Sequence, residues 1–294
     1  MSASTGAPSR LAGLRGVLLM SLAALSFAAM ATLIKVVREE AGLGMVIFAR
    51  GLFGWLLLRA FFLLRCRRPP VPVDRRRLIA RAFFGFAGLG TYTWAIQHIE
   101  LGLASALNQT SPLFVAVLAA FFLGERTPLR VKLFIVAAFS GIVLIVSPDF
   151  GSLDLQALIG LSSGLFAGIA YILVRQLRRS DAAETVVLFF CWYSMLFAVP
   201  VIFIEGFSMP SLEAILQLFG IGALGMVGQE FLTYAYRHSQ ATYVSVFLYL
   251  TTLTGLLIGW LWWSELPAPR QLMGAGICLC AMCAIGFSQS KAKS

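Results

Sequence analysis

Charged side chains are scarce in this sequence. Asp, Glu, Lys and Arg make up 12% of its 294 residues, whereas 59% of the residues are hydrophobic and 24 are Phe. In ordinary soluble domains the charged share is about twice as large, because polar side chains must cover the apolar core. The composition therefore excludes a soluble globular protein and indicates a chain whose main solvent is lipid.

Groups that carry enzyme chemistry are also scarce. The two histidines, His98 and His238, lie at the ends of apolar segments, and all four aspartates fall in loops. An intramembrane protease or metalloenzyme needs paired aspartates, a Ser–His pair or a histidine cluster within the bilayer. The five cysteines have no metal-like partner set, and no Walker-type phosphate loop is present. We expect no catalysis, metal, cofactor or nucleotide, and an intramembrane enzyme stays a remote alternative.

Long apolar runs dominate the remainder of the chain. A helix of about 20 residues crosses the hydrocarbon core, and lipid forces each span to satisfy its own backbone hydrogen bonds. The period-two alternation of a transmembrane barrel is absent. The sequence therefore predicts an all-α membrane protein with ten transmembrane helices. The predicted spans are Gly16–Val37, Gly44–Leu64, Leu78–Ile99, Leu103–Leu123, Leu129–Val146, Leu155–Val174, Thr185–Ile204, Leu212–Tyr236, Tyr243–Trp263 and Gln271–Phe287.

The positive residues predict the orientation of these spans. Of the 23 Lys and Arg residues, 18 fall in the termini and the even-numbered loops, and three fall in the odd-numbered loops. This count assigns Arg81 to the second loop. Positive loops stay on the cytoplasmic side, so both termini are predicted to be cytoplasmic in a bacterial inner membrane. The net charge of +10 then needs no nucleic-acid partner, and the lipid bilayer is the expected partner.

An internal repeat relates the two halves of the chain. An offset of 140 residues aligns Gly85 with Gly225, His98 with His238, and Ser105 with Ser245. We predict a first five-helix repeat at 16–148 and a second at 152–288, with a cytoplasmic N-terminus at 1–15 and a tail at 289–294. Because five is odd, the second repeat enters the membrane from the opposite side. Inverted repeats are typical of transporters that expose a central site to each side in turn.

Motifs in both halves resemble one transporter family. The first is Ala104-Ser105-Ala106-Leu107-Asn108-Gln109-Thr110-Ser111-Pro112, which ends in Gly124-Glu125-Arg126. Its counterpart runs from Ser245 to Ser264-Glu265, and Phe48-Ala49-Arg50 opens the second span. The chain thus resembles the drug/metabolite transporter superfamily, specifically its EamA-like ten-helix exporters. The resemblance implies export of a small organic solute; the superfamily carries amino acids, purines, choline-like amines, sugars and drugs.

Ionisable groups within the spans are candidates for function, since lipid disfavours them. Arg50 either pairs with a carbonyl or with Glu100, or gates the outer mouth. Glu230 either binds a substrate ammonium, takes up a proton for coupling, or pairs with Arg237. Pro112 removes one helix hydrogen bond beside Asn108, which predicts a kink that lines a cavity. Thr252 stands at the matching position of the ninth span, so no kink is assumed there.

Aromatic and polar residues complete the predicted site. In the resembled family, spans three, six, eight and nine wall the central cavity, and aromatic side chains there can stack on a solute. The predicted substrate-binding residues are Tyr92, Trp94, Asn108, Tyr171, Gln229, Glu230, Tyr234 and Tyr249, and those predicted for gating or coupling are Arg50, Pro112 and Glu230. We expect export of amino acids, including aromatic ones, or of similar amphiphilic metabolites. Efflux of cationic drugs is the alternative, favoured if Glu230 faces the cavity and no residue there binds a carboxylate.

Overall fold

The computed structural model describes residues 10–65, 71–99, 101–124, 128–146, 155–264, 266 and 268–291. These residues form helices joined by short loops, without a β-strand among them. Glu100, the possible partner of Arg50, lies outside the described residues, as do Glu125, Arg126 and Glu265 of the family motifs.

Twelve α-helices and one 3₁₀ segment follow each other in the described part of the chain. They are α1 (Arg10–Val37), α2 (Leu43–Leu64), α3 (Arg75–His98), α4 (Leu101–Asn108), α5 (Ser111–Phe122), α6 (Leu129–Val146), α7 (Leu155–Leu177), α8 (Ala183–Glu205), α9 (Leu212–His238), α10 (Ala241–Val244), the 3₁₀ segment Ser245–Tyr249, α11 (Leu250–Trp263) and α12 (Pro269–Lys291).

These elements coincide with the ten predicted spans, two of which are interrupted. Among the described residues, six helical stretches are long and apolar enough to cross a membrane, and shorter apolar helices accompany them. Large apolar side chains such as Leu18, Phe121 and Phe203 are exposed on their outer faces. Such a surface is compatible with lipid and not with water. The all-helical membrane class is confirmed.

The fourth and ninth spans are broken by different means. In the fourth, α4 ends at Asn108 and α5 starts at Ser111, with Pro112 in its first turn. The ninth passes through the 3₁₀ segment before α11 begins, although it has Thr252 in place of a proline. Nε2 of Gln109 donates to the Leu248 carbonyl. This tertiary bond to the 3₁₀ segment links the two breaks.

Four helix pairs pack along most of their lengths. α1 lies against α9, α3 against α7, α2 against α8, and α6 against α12. Small residues permit the close approach: a methyl group added at Gly222 would stand 3.3 Å from the backbone nitrogen of Gly54. Small residues at helix interfaces are the usual means of tight packing in membranes.

At each end of the bundle an acidic side chain accepts hydrogen bonds from the backbone of another loop, and each such connection is here called a tie. At the end that contains residues 38–42 and 206–211, here the Glu40 end, Glu40 accepts a 3.1 Å bond from the Ser211 nitrogen. At the opposite end, here the Asp181 end, Asp181 accepts bonds from the backbone nitrogens of Val73 (2.8 Å) and Asp74 (3.3 Å). Ser211 and Asp74 are the N-caps of α9 and α3. Each tie therefore joins a loop to the start of a long helix.

The placement of Arg81 in the second loop was wrong. Arg81 lies in the second turn of α3, which begins at Arg75, and it is 2% exposed. Asp74 caps this helix by accepting a bond from the Arg77 nitrogen. The helix therefore starts within the arginine-rich stretch, and its rotation carries Arg81 into the protein interior while Arg75, Arg76 and Arg77 stay exposed.

Candidate functional site

A cavity of about 70 Å³ lies where α1, α2, α3, α4, α7, α8 and α9 meet the start of the ninth span. It has room for a few water molecules, whereas ligand sites usually measure about 300–1,000 Å³. The polar side chains that line it are Arg50, Arg81, Tyr92, Asn108, Gln109, Tyr171, Gln229 and Thr251, and the apolar ones include Phe27, Met30, Leu89, Phe190 and Leu248.

Arg81 reaches the cavity from α3. Its Nη2 donates a 2.7 Å bond to Oε1 of Gln229 on α9, and its guanidinium carbon lies 4.1 Å from the ring centroid of Phe190. Its Nε and Nη1 are buried without a hydrogen-bond partner. Arginine keeps its charge in proteins, so these two donors remain available for an acceptor within the cavity.

Arg50 reaches the same cavity from α2. It is 3% exposed, its Nε lies 3.4 Å from Sδ of Met30, and its guanidinium carbon is 5.1 Å from the Phe190 centroid. Among the described residues, neither Arg50 nor Arg81 forms an ion pair with a carboxylate, and no described lining residue is acidic. An arginine at mid-membrane costs about 2.5–3.5 kcal/mol on insertion scales. The cavity thus concentrates two uncompensated positive charges.

Two glycines make room for these arginines. A methyl group at Gly225 would stand 2.7 Å from Nε of Arg50 and 3.1 Å from Sδ of Met30. One at Gly85 would meet Nη1 of Arg81 and stand 2.7 Å from Cε2 of Phe190. Gly85 and Gly225 are the positions that the 140-residue offset aligns, so each predicted repeat contributes one such glycine.

The broken fourth span and the neighbouring helices α3 and α7 supply the neutral hydrogen-bonding groups of the cavity. Asn108, the last residue of α4, donates a 3.0 Å bond from Nδ2 to Oγ of Ser163 on α7, which fixes its amide at the cavity wall. Tyr92 on α3 shares a 3.0 Å hydrogen bond with Oγ of Ser105. Tyr171 on α7 packs against Tyr236, with their ring centroids 5.9 Å apart. Asn108, Tyr92 and Tyr171 therefore present polar groups together with aromatic faces.

The structure brings together half of the residues predicted from the sequence. The five that line the cavity are Arg50, Tyr92, Asn108, Tyr171 and Gln229. The others lie elsewhere. Trp94 stacks on His98 with a centroid distance of 4.0 Å, Tyr249 is buried among core side chains, and Pro112 is buried in the first turn of α5.

Glu230 and Tyr234 belong to a separate cluster near the Asp181 end. The Tyr234 hydroxyl donates to Oε1 of Glu184, and Oε1 of Glu230 is buried without a hydrogen-bond partner. Glu230 interacts electrostatically with Glu184 and Arg178, and it forms no ion pair with Arg237. Because Gln229 and Glu230 are neighbours on one helix, their side chains point about 100° apart, and the cavity receives only Gln229.

Arg81 and Phe190 are two of the cavity residues that the sequence did not indicate. Arg81 follows six arginines of the second loop, and this cluster masked its position within α3. Phe190 is one of 24 phenylalanines, so its sequence position carried no signal. The capping residue Asp74 was the one available clue, since a helix that begins at Arg75 places Arg81 in its second turn.

The fold and the polar cavity define a polytopic helical membrane protein with a small internal polar site. The chain belongs to the EamA-like transporter family, whose profile matches residues 14–147 and 155–287. It is therefore a membrane transporter and not an enzyme, and the resemblance drawn from its motifs is confirmed.

Individual relatives span a range of solutes. The chain is 33% identical over 280 residues to the pseudopaline exporter of Pseudomonas aeruginosa strain UCBPP-PA14, covering 94% of this chain and 96% of that protein. It is 32% identical over 202 residues to a riboflavin transporter of Rhizobium johnstonii, covering 66% of this chain and 65% of that one. A probable terminal-alkyne amino-acid exporter of Streptantibioticus cattleyicolor is 26% identical over 219 residues, covering 70% and 74% of the two chains.

A solved crystal structure has the same fold. It superimposes with a TM-score of 0.71 at 17% identity, covering 97% of this chain and 98% of that one.

Proposed function

We propose that this protein is a secondary transporter that exports amino acids, aromatic ones included, or similar small amphiphilic metabolites across the bacterial inner membrane. The observation that carries this proposal is the polar cavity, which is enclosed by helices of both halves and lined by Arg50, Arg81, Asn108 and Gln229. A carboxylate can bind the arginines, and the amides can hold the remainder of an amino-acid-like solute. The exporters among the relatives support the direction of transport.

We also propose that the halves 16–148 and 152–288 are inverted repeats, with both termini in the cytoplasm. The helix pairing supports this arrangement, because exchanging corresponding helices of the two halves turns the α1–α9 pair into the α7–α3 pair. Two side-chain bonds join corresponding positions: Gln109 with the Leu248 carbonyl, 139 residues apart, and Cys278 with the Ala138 carbonyl, 140 apart. Such bonds are expected beside a two-fold axis.

The ties at the two ends follow the same relation. Glu40 binds the N-cap of α9, and Asp181 binds that of α3, the corresponding helix of the other half. Release of one tie at a time would open the cavity to one side at a time. In its 70 Å³ state the cavity is narrow, so binding of an amino acid requires the helices to move apart.

Efflux of cationic drugs receives no support from the cavity. Its charged lining residues are Arg50 and Arg81, and Glu230 lies outside it. We propose Glu230 as a proton-coupling residue, since Oε1 of its carboxylate is buried without a hydrogen-bond partner and the group interacts electrostatically with Glu184. Substitution Glu230→Gln is expected to abolish concentrative transport and leave solute exchange intact. A concentrative rate in Glu230→Gln that keeps the pH dependence of the wild type would contradict this role.

The experiment for the proposed function is counterflow in proteoliposomes. Purified protein is reconstituted with the twenty amino acids, one at a time, and with choline-like amines as a matched set of cations. We expect exchange of several amino acids and stabilisation of the protein by the same solutes, because a ligand stabilises the state it binds. Exchange of the amines alone would replace this proposal with drug efflux, and absence of any exchange would contradict transport of either class.

A further inference from the structure

The cavity's charges narrow the solute class further. Arg50 and Arg81 lie on different helices, yet both guanidinium groups lie within about 5 Å of one phenylalanine ring, at 5.1 and 4.1 Å from its centroid. One small solute can therefore contact both groups. Arg81 is 2% exposed and Arg50 3% exposed, so bulk water does not neutralise either charge.

The protein itself supplies little compensation for these charges. Arg81 has one hydrogen bond, to Gln229, and leaves Nε and Nη1 unpartnered. Arg50 has the Met30 thioether as its hydrogen-bond acceptor, and sulfur is a weak one. A buried charge without a partner is strongly unfavourable, so a site that retains two of them is completed by anionic groups from outside the chain.

The neutral part of the cavity excludes a net positive solute. An ammonium group would find amide, hydroxyl and carbonyl oxygens of Asn108, Gln109 and Thr251, and no carboxylate among the described lining residues. Neutral acceptors can hold one ammonium, and they cannot offset two arginines. Each guanidinium instead matches the fork geometry of one carboxylate.

We propose that the transported solute is an amino-acid-derived anion with at least two carboxylates, one bound by Arg50 and one by Arg81, with the Phe190 ring beside both guanidinium groups. This inference rests on the proposed function and specifies its substrate class. It predicts that net negative charge, and not aromatic character, decides which solutes are carried.

The test compares L-glutamate with L-glutamine, which have nearly the same shape and differ by one carboxylate. Thermal stabilisation of the purified wild-type protein is measured with L-glutamate, L-glutamine, glutarate and inorganic phosphate. We expect glutamate and glutarate to bind about tenfold to a hundredfold more tightly than glutamine, the effect of one bond to a buried charged group. Arg50→Gln and Arg81→Gln should each remove this preference, whereas Arg59→Gln, an exposed arginine on the same helix as Arg50, should preserve it.

A second pair of variants separates binding from folding. Arg81→Lys and Arg50→Lys keep the charge and lose the fork, so each should retain part of the preference for glutamate and give a folded protein in which it is measured. Equal binding of glutamate and glutamine by the wild type would overturn the proposal, as would a preference that survives both glutamine substitutions. Phosphate binding as tight as that of glutarate would also overturn it, because a single tetrahedral anion would then satisfy both arginines.

Failure of the dicarboxylate assignment can be distinguished from failure of the proposed transport function. If counterflow shows exchange of neutral amino acids while glutamate and glutarate neither bind nor compete, transport stands and the dicarboxylate assignment fails. If glutarate binds through both arginines and no solute is exchanged, the anion site stands and the transport proposal fails.

Discussion

At the residue scale, each cavity arginine occupies space that a glycine leaves free. Arg50 fits against α9 because Gly225 has no side chain, and Arg81 curls over Gly85 for the same reason. Each arginine is thus positioned by a glycine as well as by its own helix. Substitution of such a glycine should displace the arginine side chain while the protein still folds.

This relation predicts the effect of Gly225→Ala. The added methyl would lie 2.7 Å from Nε of Arg50, so the arginine must shift. Overpacking of this kind costs about 1–3 kcal/mol. We expect solute affinity to fall about tenfold, equivalent to about 1.4 kcal/mol, with a folded protein retained.

The measurement is solute-dependent thermal stabilisation, compared between Gly225→Ala and Gly276→Ala. Gly276 is a matched control because a methyl group there meets nothing within 4 Å. Unchanged affinity in Gly225→Ala would show that the position of Arg50 is not critical for binding.

At this scale the sequence indicates a cavity residue most clearly where the membrane restricts the residue type. Arg50 was recognised because an arginine far from either end of a span is rare. Trp94, Glu230 and Tyr249 were placed at the cavity on residue type, and helical phase turned them elsewhere. One residue of offset rotates a side chain by about 100°, so of the two predicted neighbours Gln229 and Glu230 only Gln229 lines the cavity.

At the element scale, the helices themselves were predictable from the sequence. A backbone in lipid must bond to itself, so each long apolar run had to become a helix. The start of α3 was harder, because Asp74 caps it upstream of its apolar run. The interrupted ninth span receives a tertiary bond from Gln109 at the Leu248 carbonyl, and no local pattern in that span could indicate this bond.

The two ties predict that each end of the bundle can be opened separately by a substitution at that end. Asp181→Asn weakens the bonds to Val73 and Asp74, at a loss of about 1.5–3 kcal/mol for charge-assisted bonds, and should open the Asp181 end. Glu40→Gln should open the Glu40 end. Spin labels at residues 73 and 179 report the first end, and labels at 39 and 208 the second.

Each substitution should lengthen the label distance at its own end and leave the other end unchanged, so each variant is the control for the other. Equal distance changes at both ends in either variant would argue against independent ties.

The tie at Glu40 should also respond to pH. Hydrogen bonds from Ser211 lower the pKa of Glu40. The tie is therefore fully formed above the ordinary pKa of Glu, about 4.3, and is lost as the pH falls through the lowered value.

At the scale of the whole molecule, charge distribution predicts the orientation. Arg81 belongs to the interior and no longer counts among the loop charges, yet the excess of positive charge at the Asp181 end persists. We therefore expect this end to be cytoplasmic, together with both termini.

Single cysteines in a cysteine-free background test this orientation. Ser208→Cys, at the Glu40 end, should react with a membrane-impermeant maleimide in intact cells, whereas Arg179→Cys, at the Asp181 end, should react only after the membrane is opened. Both positions are exposed, so reactivity reports the side of the membrane. The reverse pattern would invert the proposed topology and, with it, the direction of export.

The most direct test of the central claim is the accessibility of the cavity from each side. Thr251 lines the cavity and is 4% exposed, and Thr251→Cys replaces it with a side chain of similar size. Alternating access predicts that this cysteine reacts with impermeant maleimide applied to either side of the membrane, and that a transported solute protects it from both. Reaction from one side only, under all solute conditions, would contradict alternating access through this cavity.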